Sequence, residues 1–210
     1  LESYVLISCF SAFLLYQQPS FVQGLHELLK QSNVPDTNTV KAATDALQNN
    51  YYKNPQCVPA LFEILATSPD LAVRQLAAVE LRKRLAKSGG KVWNKQPVDV
   101  RNGIKSKLLE VVTNEQAAPV RNSIARVISE IAKRELPLGT WPDLLPFLFN
   151  AADSPNATHR QVSLFVFYTV LETFVDGGFS GTYTLAAGAS GGTGDEDEAA
   201  GVEAAGLVAG

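Results

Sequence analysis

Asp70-Leu-Ala-Val-Arg74, Ala117-Ala-Pro-Val-Arg121 and Asn156-Ala-Thr-His-Arg160 state one pattern three times: a turn-forming start, an arginine in the fifth place, then an amphipathic run of about fifteen residues. The arginines recur at spacings of 47 and 39 residues. That period is expected of two-helix units stacked into a solenoid, and Val40-Lys41, 33 residues before Arg74, is a degenerate first copy. Each unit buries its apolar face only against its neighbours, so function is sought along a surface and not in a pocket.

Outward from these strings the punctuation is regular. Phe21, Val22, Leu25, Leu28 and Leu29 have helical spacing, and Asn33-Val-Pro-Asp-Thr37 closes the segment with turn formers. A second helix is predicted over 39–50, and a third follows Pro55 with Val58, Leu61, Phe62 and Leu65 in one stripe. Pro69-Asp70 separates it from a partner over 70–87, which Ser88-Gly-Gly90 ends. A third pair carries Ile104, Leu108, Leu109 and Val112 on one helix and Val120, Ile124, Val127, Ile128 and Ile131 on the next. After the breakers Pro137 and Gly139 a fourth pair is predicted over 140–152 and 156–174, with Asn156 as N-cap. Its last helix is apolar almost all round, from Val162 through Phe167 to Leu171, and needs cover on several sides. The expected fold class is therefore all-α, an α-α superhelix of about four helical hairpins over 20–175.

The two ends differ. Residues 1–19 are expected to lie outside the repeat fold, because Tyr4 to Tyr16 is an uncharged run, too short to span a bilayer and without a basic start or a cleavage site. Residues 176–210 hold ten of the fifteen glycines and the acidic run Asp195-Glu-Asp-Glu198, with no lysine or arginine, and this C-terminal tail is expected to be disordered. The formal charge of -3 conceals the division: residues 20–175 carry eighteen basic and fourteen acidic groups, a net +4. The chain contains no methionine, even at position 1, so it is expected to be a fragment or a faulty gene model with mis-assigned coding sequence at both ends.

Several function classes fall away. Cys9 and Cys57 have neither disulfide-framework nor metal-ligand spacing, which suits a reducing setting, although Asn156-Ala-Thr158 also matches a glycosylation sequon. No metal or other cofactor is expected. His26 and His159 stand in no nucleophile constellation, and Ser88-Gly-Gly-Lys91 lacks phosphate-loop spacing and follows a helix, so no catalytic residue is expected and the chain is read as no enzyme. Basic residues are scattered among acidic ones without an aromatic stacking platform, which argues against direct nucleic-acid binding, and no membrane partner is expected.

The order of motifs supports a family resemblance over residues 20–175. Val120-Arg-Asn-Ser-Ile-Ala-Arg-Val-Ile-Ser-Glu-Ile-Ala132, then Trp141-Pro-Asp-Leu-Leu-Pro146, Arg160-Gln161 and Leu171-Glu172 resemble the amino-terminal HEAT repeats of the importin-β (karyopherin-β) superfamily. Val40-Lys-Ala-Ala-Thr-Asp-Ala-Leu47 with Asn54-Pro55 is similar to the opening repeat, and Arg74 to Lys83, with Trp93, to the second. Within the superfamily the likeness is nearest to the importin-four type. It implies a nuclear import receptor working between cytoplasm and nucleus through the pore. Its implied partners are the GTP form of a Ran-type small GTPase, phenylalanine-glycine nucleoporins, and protein cargo such as histones or ribosomal proteins. The alternative is a generic HEAT-repeat scaffold or assembly subunit.

In such a receptor Ran is expected on the second helices. On 70–87, Glu80, Lys83, Arg84 and Lys87 share a stripe away from Ala77, Leu81 and Leu85; on the next, Arg126, Glu130, Lys133 and Arg134 form the polar arc. A mixed-sign face of this kind steers and orients a charged partner. For nucleoporins the candidates are Leu61, Phe62, Leu65, Ile104 and Leu108 on adjacent first helices. The repeated arginines Arg74, Arg121 and Arg160 are read as structural, each pairing with an acidic residue of a neighbouring repeat.

Overall fold

The computed structural model describes residues 19–176. The expectations for the apolar opening segment and for the glycine-rich tail lie outside the described residues. Nine α-helices occur among those described, and no strand. They pair as anticipated. α1 (Pro19–Gln31) is followed by α2 (Thr37–Ala46), which runs on into a π-turn over Leu47–Tyr51. α3 (Cys57–Thr67) is followed by α4 (Leu71–Ala86), then a short 3-10 turn and the four-residue α5 (Lys91–Asn94). α6 (Val98–Asn114) is followed by α7 (Ala118–Glu135), and α8 (Leu144–Ala152) by α9 (Ala157–Asp176).

Helix starts are set by side-chain caps. Asp36 accepts from Thr39 N at 2.8 Å, Asp70 from Ala72 N at 2.9 Å, and Asn156 Oδ1 from Thr158 N at 2.9 Å, so orphan N–H groups of the first turns are satisfied. Asn156 thus has the capping role read from its place before the apolar run. The turn at α7 uses Pro119 in the first turn instead, where a missing N–H costs nothing.

One core runs through the repeats. Leu25 and Leu29 of α1 meet Val58, Leu61 and Leu65 of α3; Ala77, Leu81 and Leu85 of α4 continue to Val120, Ile124 and Ile128 of α7, and thence to Val162 and Val166 of α9. The second helices pack successively, α4 on α7 and α7 on α9. Helix α5 had not been anticipated, since four residues show no periodicity. Its purpose is Trp93, which is buried and donates Nε1–H to Glu135 Oε1 at 2.6 Å. Around Glu135, also buried, Arg101 Nη1 donates to Oε1 at 3.3 Å, while Lys105 Nζ (3.0 Å) and Thr140 Oγ1 (2.6 Å) donate to Oε2. Burial pushes this carboxyl up, but hydrogen bonds from Thr140, Trp93 and Lys105 with the Lys105 charge outweigh it and hold it below the ordinary carboxylate range.

The repeated arginines brace turns, and among the described residues only one finds an acidic partner. Each donates Nη1 to two carbonyls of the turn before its own helix: Arg74 to Ser68 and Pro69, Arg121 to Glu115 and Gln116, Arg160 to Ser154 and Pro155. The shared pattern therefore reports a turn whose carbonyls need a donor. Among the described residues, pairing with a neighbouring repeat holds for Arg74 alone, through Glu115.

Candidate protein-interaction surface

α4 and α7, which carry the two predicted polar stripes, lie side by side. The arginine offset of 47 puts the two helices in register: Lys83 corresponds to Glu130, Lys87 to Arg134, Glu80 to Val127 and Arg84 to Ile131. Val127 and Ile131 are core residues, so Glu80 and Arg84 occupy core places too. Glu80 is indeed only 7 % exposed. A carboxylate there needs partners, and it accepts from Lys83 Nζ at 2.6 Å and Arg84 Nη2 at 3.1 Å. Arg84 is itself held 3.9 Å above the Tyr52 ring. Burial first, then the charge and hydrogen bond of Glu80, raises the Tyr52 hydroxyl well above its usual value. Burial likewise pushes the neighbouring Cys57 thiol up to about 12, which makes it inert.

Glu80 and Arg84 are thus turned inward, which corrects their placement on an open stripe. Comparing the same place in successive repeats, instead of one helical wheel, would have found this.

The second helix shows the same economy. Glu130 Oε1 lies 2.7 Å from Arg134 Nη1, and both side chains are less than one fifth exposed. Arg134 also donates to the Glu130 carbonyl and lies across Gly90, where an added Cβ would sit 2.0 Å from its Nε. The C-terminal end of α7 is thereby laid against the turn that follows α4. What remains open is basic. Lys83 is 53 % exposed, and Lys87, Arg126 and Lys133 are exposed, their side chains making no hydrogen bond or ion pair among the described residues. The mixed-sign face expected from the sequence is therefore a cationic edge with its two acids drawn in, suited to an acidic partner surface.

The five apolar candidates for nucleoporin docking are corrected outright. Leu61, Phe62, Leu65, Ile104 and Leu108 are each at most 2 % exposed and fill the space between α3, α4 and α6. Packed on all sides, they line no open cleft. His26 Nε2 of α1 lies 2.9 Å from Ser68 Oγ at the end of α3, and His159 Nδ1 lies 3.3 Å from Ser154 Oγ in the turn before its own helix. No helix among the described residues is long and apolar enough to cross a membrane.

Known proteins decide which family of solenoid this is. Residues 43–114 match the importin-beta N-terminal domain, and residues 116–178 match the repeats described as IPO5-like, TPR repeats. This chain belongs to the importin-β superfamily. The probable importin subunit beta-4 of Schizosaccharomyces pombe is 39 % identical over 153 residues, 73 % of this chain and 14 % of that protein. Importin-4 of Homo sapiens is 32 % identical over 148 residues, 70 % of this chain and 13 % of the relative. Among solved structures, Kap121p bound to RanGTP superposes with a TM-score of 0.64 at 28 % identity, covering 75 % of this chain and 15 % of that one. The chain spans about a seventh of the length of such relatives.

Proposed function

We propose that this chain supplies the Ran-binding amino-terminal repeats of a nuclear import receptor. The observation that carries the reading is the coincidence of two facts. The stretch matching the importin-beta N-terminal domain, 43–114, contains α4 with Lys83 and Lys87, and the superposed relative Kap121p has been crystallised with RanGTP. The open cations Lys83, Lys87, Arg126 and Lys133 would meet an acidic surface of the GTPase, with Glu80, Arg84, Glu130 and Arg134 holding the helices that present them. The receptor works without a cofactor and performs no catalysis. It carries protein cargo, histones and ribosomal proteins being the classes that the importin-four likeness implies, between cytoplasm and nucleus. Phenylalanine-glycine nucleoporins dock elsewhere than on the buried apolar stripe of α3 and α6.

The test is binding of this chain to Ran loaded with GTP or with GDP, by biolayer interferometry. A preference of at least about tenfold for the GTP form is expected, together with a loss of about tenfold or more on reversing Lys87, Arg126 and Lys133 to glutamate at unchanged circular dichroism. Equal binding to both nucleotide forms, or binding to neither, rejects the reading in favour of a generic scaffold.

A further inference from the structure

The three turns that join first to second helices are built alike. In each, the residue six before the arginine gives its carbonyl to Nη1: Ser68 at 3.0 Å, Glu115 at 3.0 Å and Ser154 at 2.7 Å. The same residue's side-chain oxygen accepts from the backbone N–H two places on, at Asp70, Ala117 and Asn156. Ser68, Glu115 and Ser154 are therefore one position in three repeats. Ser68 Oγ also lies 2.9 Å from His26 Nε2 of the first repeat, but of the three only Glu115 reaches the arginine of the preceding repeat, where its carboxylate takes Arg74 Nε at 3.0 Å and Nη2 at 3.3 Å.

One repeat later Ser154 stands in that place, too short for the span. Arg121 Nε and Nη2, the counterparts of the paired atoms of Arg74, make no hydrogen bond among the described residues. Arg121 lines a cleft of about 160 Å³ between α6, α7 and α9, together with Asn122 and Gln161 on the rim and Val112, Val162 and Phe165 beneath. The two amides are exposed and have no partner among the described residues. A space of that order holds a benzene-sized apolar group.

We propose that this cleft docks a partner peptide in which a carboxylate is followed by a large apolar side chain. The carboxylate takes Arg121 Nε and Nη2 as Glu115 takes those of Arg74. The apolar side chain fills the space over Val112, Val162 and Phe165, and the Asn122 and Gln161 amides hydrogen-bond the peptide main chain. At the junction of the second and third repeats the chain supplies its own acid; at the next it leaves that place to a partner. The proposal is independent of the GTPase reading.

The experiment is fluorescence anisotropy on the full chain with a fluorescein-labelled Gly-Ser-Glu-Leu-Ser-Gly peptide and its Gln counterpart. Saturable binding of the Glu peptide is expected, with the Gln peptide weaker by about tenfold or more. Ser154→Glu supplies the missing acid from within and should displace the peptide, and Arg121→Gln should weaken it, each by about tenfold or more at unchanged helicity. Absence of saturable binding, equal binding of the two peptides, or an affinity that neither variant alters overturns the proposal. Should both variants lose helicity, the comparison of the two peptides on the unaltered chain decides alone.

Discussion

Arg74 and Glu115, forty-one residues apart, close a two-point pair at 3.0 and 3.3 Å that ties the second repeat to the third, and the Glu115 side chain is only 8 % exposed. Fork geometry, partial burial and the extra bond from Ala117 N make this more than a solvated surface pair. Glu115→Gln leaves the guanidinium half-satisfied and should lower the unfolding free energy by about 1.5–3 kcal/mol, read from the urea midpoint. A midpoint unmoved by the change would show that the pair is mere decoration on a fold held by the core.

The helices, their pairing and their order were legible in the sequence, because hydrophobic period, caps and turn residues are local and repeat in every unit. Asp70, Asn156 and Pro69 each announced a boundary that the structure keeps to within a residue or two. What was hidden is non-local. Helical spacing placed Glu80 on a stripe away from Ala77, Leu81 and Leu85, yet its place in the repeat is that of Val127, and two cations from its own helix make the burial tolerable. The apolar stripe of α3 looked equally able to line a cleft or fill a core, and only its neighbours in α4 and α6 decide for the core. Trp93 in α5 was noted for its family likeness, but its bond to Glu135, forty-two residues on, has no sequence signature.

Glycine is required at Gly90 for two reasons and at Gly89 for one. Gly90 has φ +82 and a Cβ there would lie 2.0 Å from Arg134 Nε, whereas Gly89 has φ +64 with open space around it. Alanine at Gly89 should cost only the left-handed backbone, about 1–2 kcal/mol. Alanine at Gly90 should cost that and also displace Arg134 from Glu130, for a total larger by about 1 kcal/mol. Thermal melts of the two variants side by side give the comparison; equal losses would mean that Arg134 swings away freely.

Glu135 makes the fold acid-sensitive. Its carboxyl is held low, so the folded chain binds that proton more weakly than the unfolded chain, whose glutamates titrate at about 4.3. The stabilisation is complete above that value and is lost as pH falls through the lower folded-state value. Glu63 works in the opposite sense: burial raises its carboxyl, so its contribution is present at low pH and lost as pH rises through its folded-state value. Glu135→Gln leaves Lys105 and Arg101 uncompensated and should cost about 3–5 kcal/mol at pH 7. The gap in melting temperature between the two proteins should hold from pH 7 down to about pH 5 and shrink as pH falls further toward 3. A gap that stays constant over this range would separate Glu135 from the acid response.

The outer face of α9 is apolar and open. Leu164, Tyr168 and Leu171 fall on one stripe at 66, 61 and 61 % exposure, and Phe149 of α8, 61 % exposed, meets Phe167 in a tilted ring pair with centroids 5.5 Å apart. In a solenoid such a stripe is the surface that a further repeat covers, and uncovered it favours self-association. This chain should therefore form concentration-dependent oligomers in sedimentation or light scattering. Leu164→Glu with Leu171→Lys should shift it toward monomer while changing stability by no more than about 0.5 kcal/mol, because exposed side chains contribute little to the folded core. A monodisperse monomer of the unaltered chain at high concentration would show that these side chains stay hydrated without cost, and the double substitution would then have no effect on association.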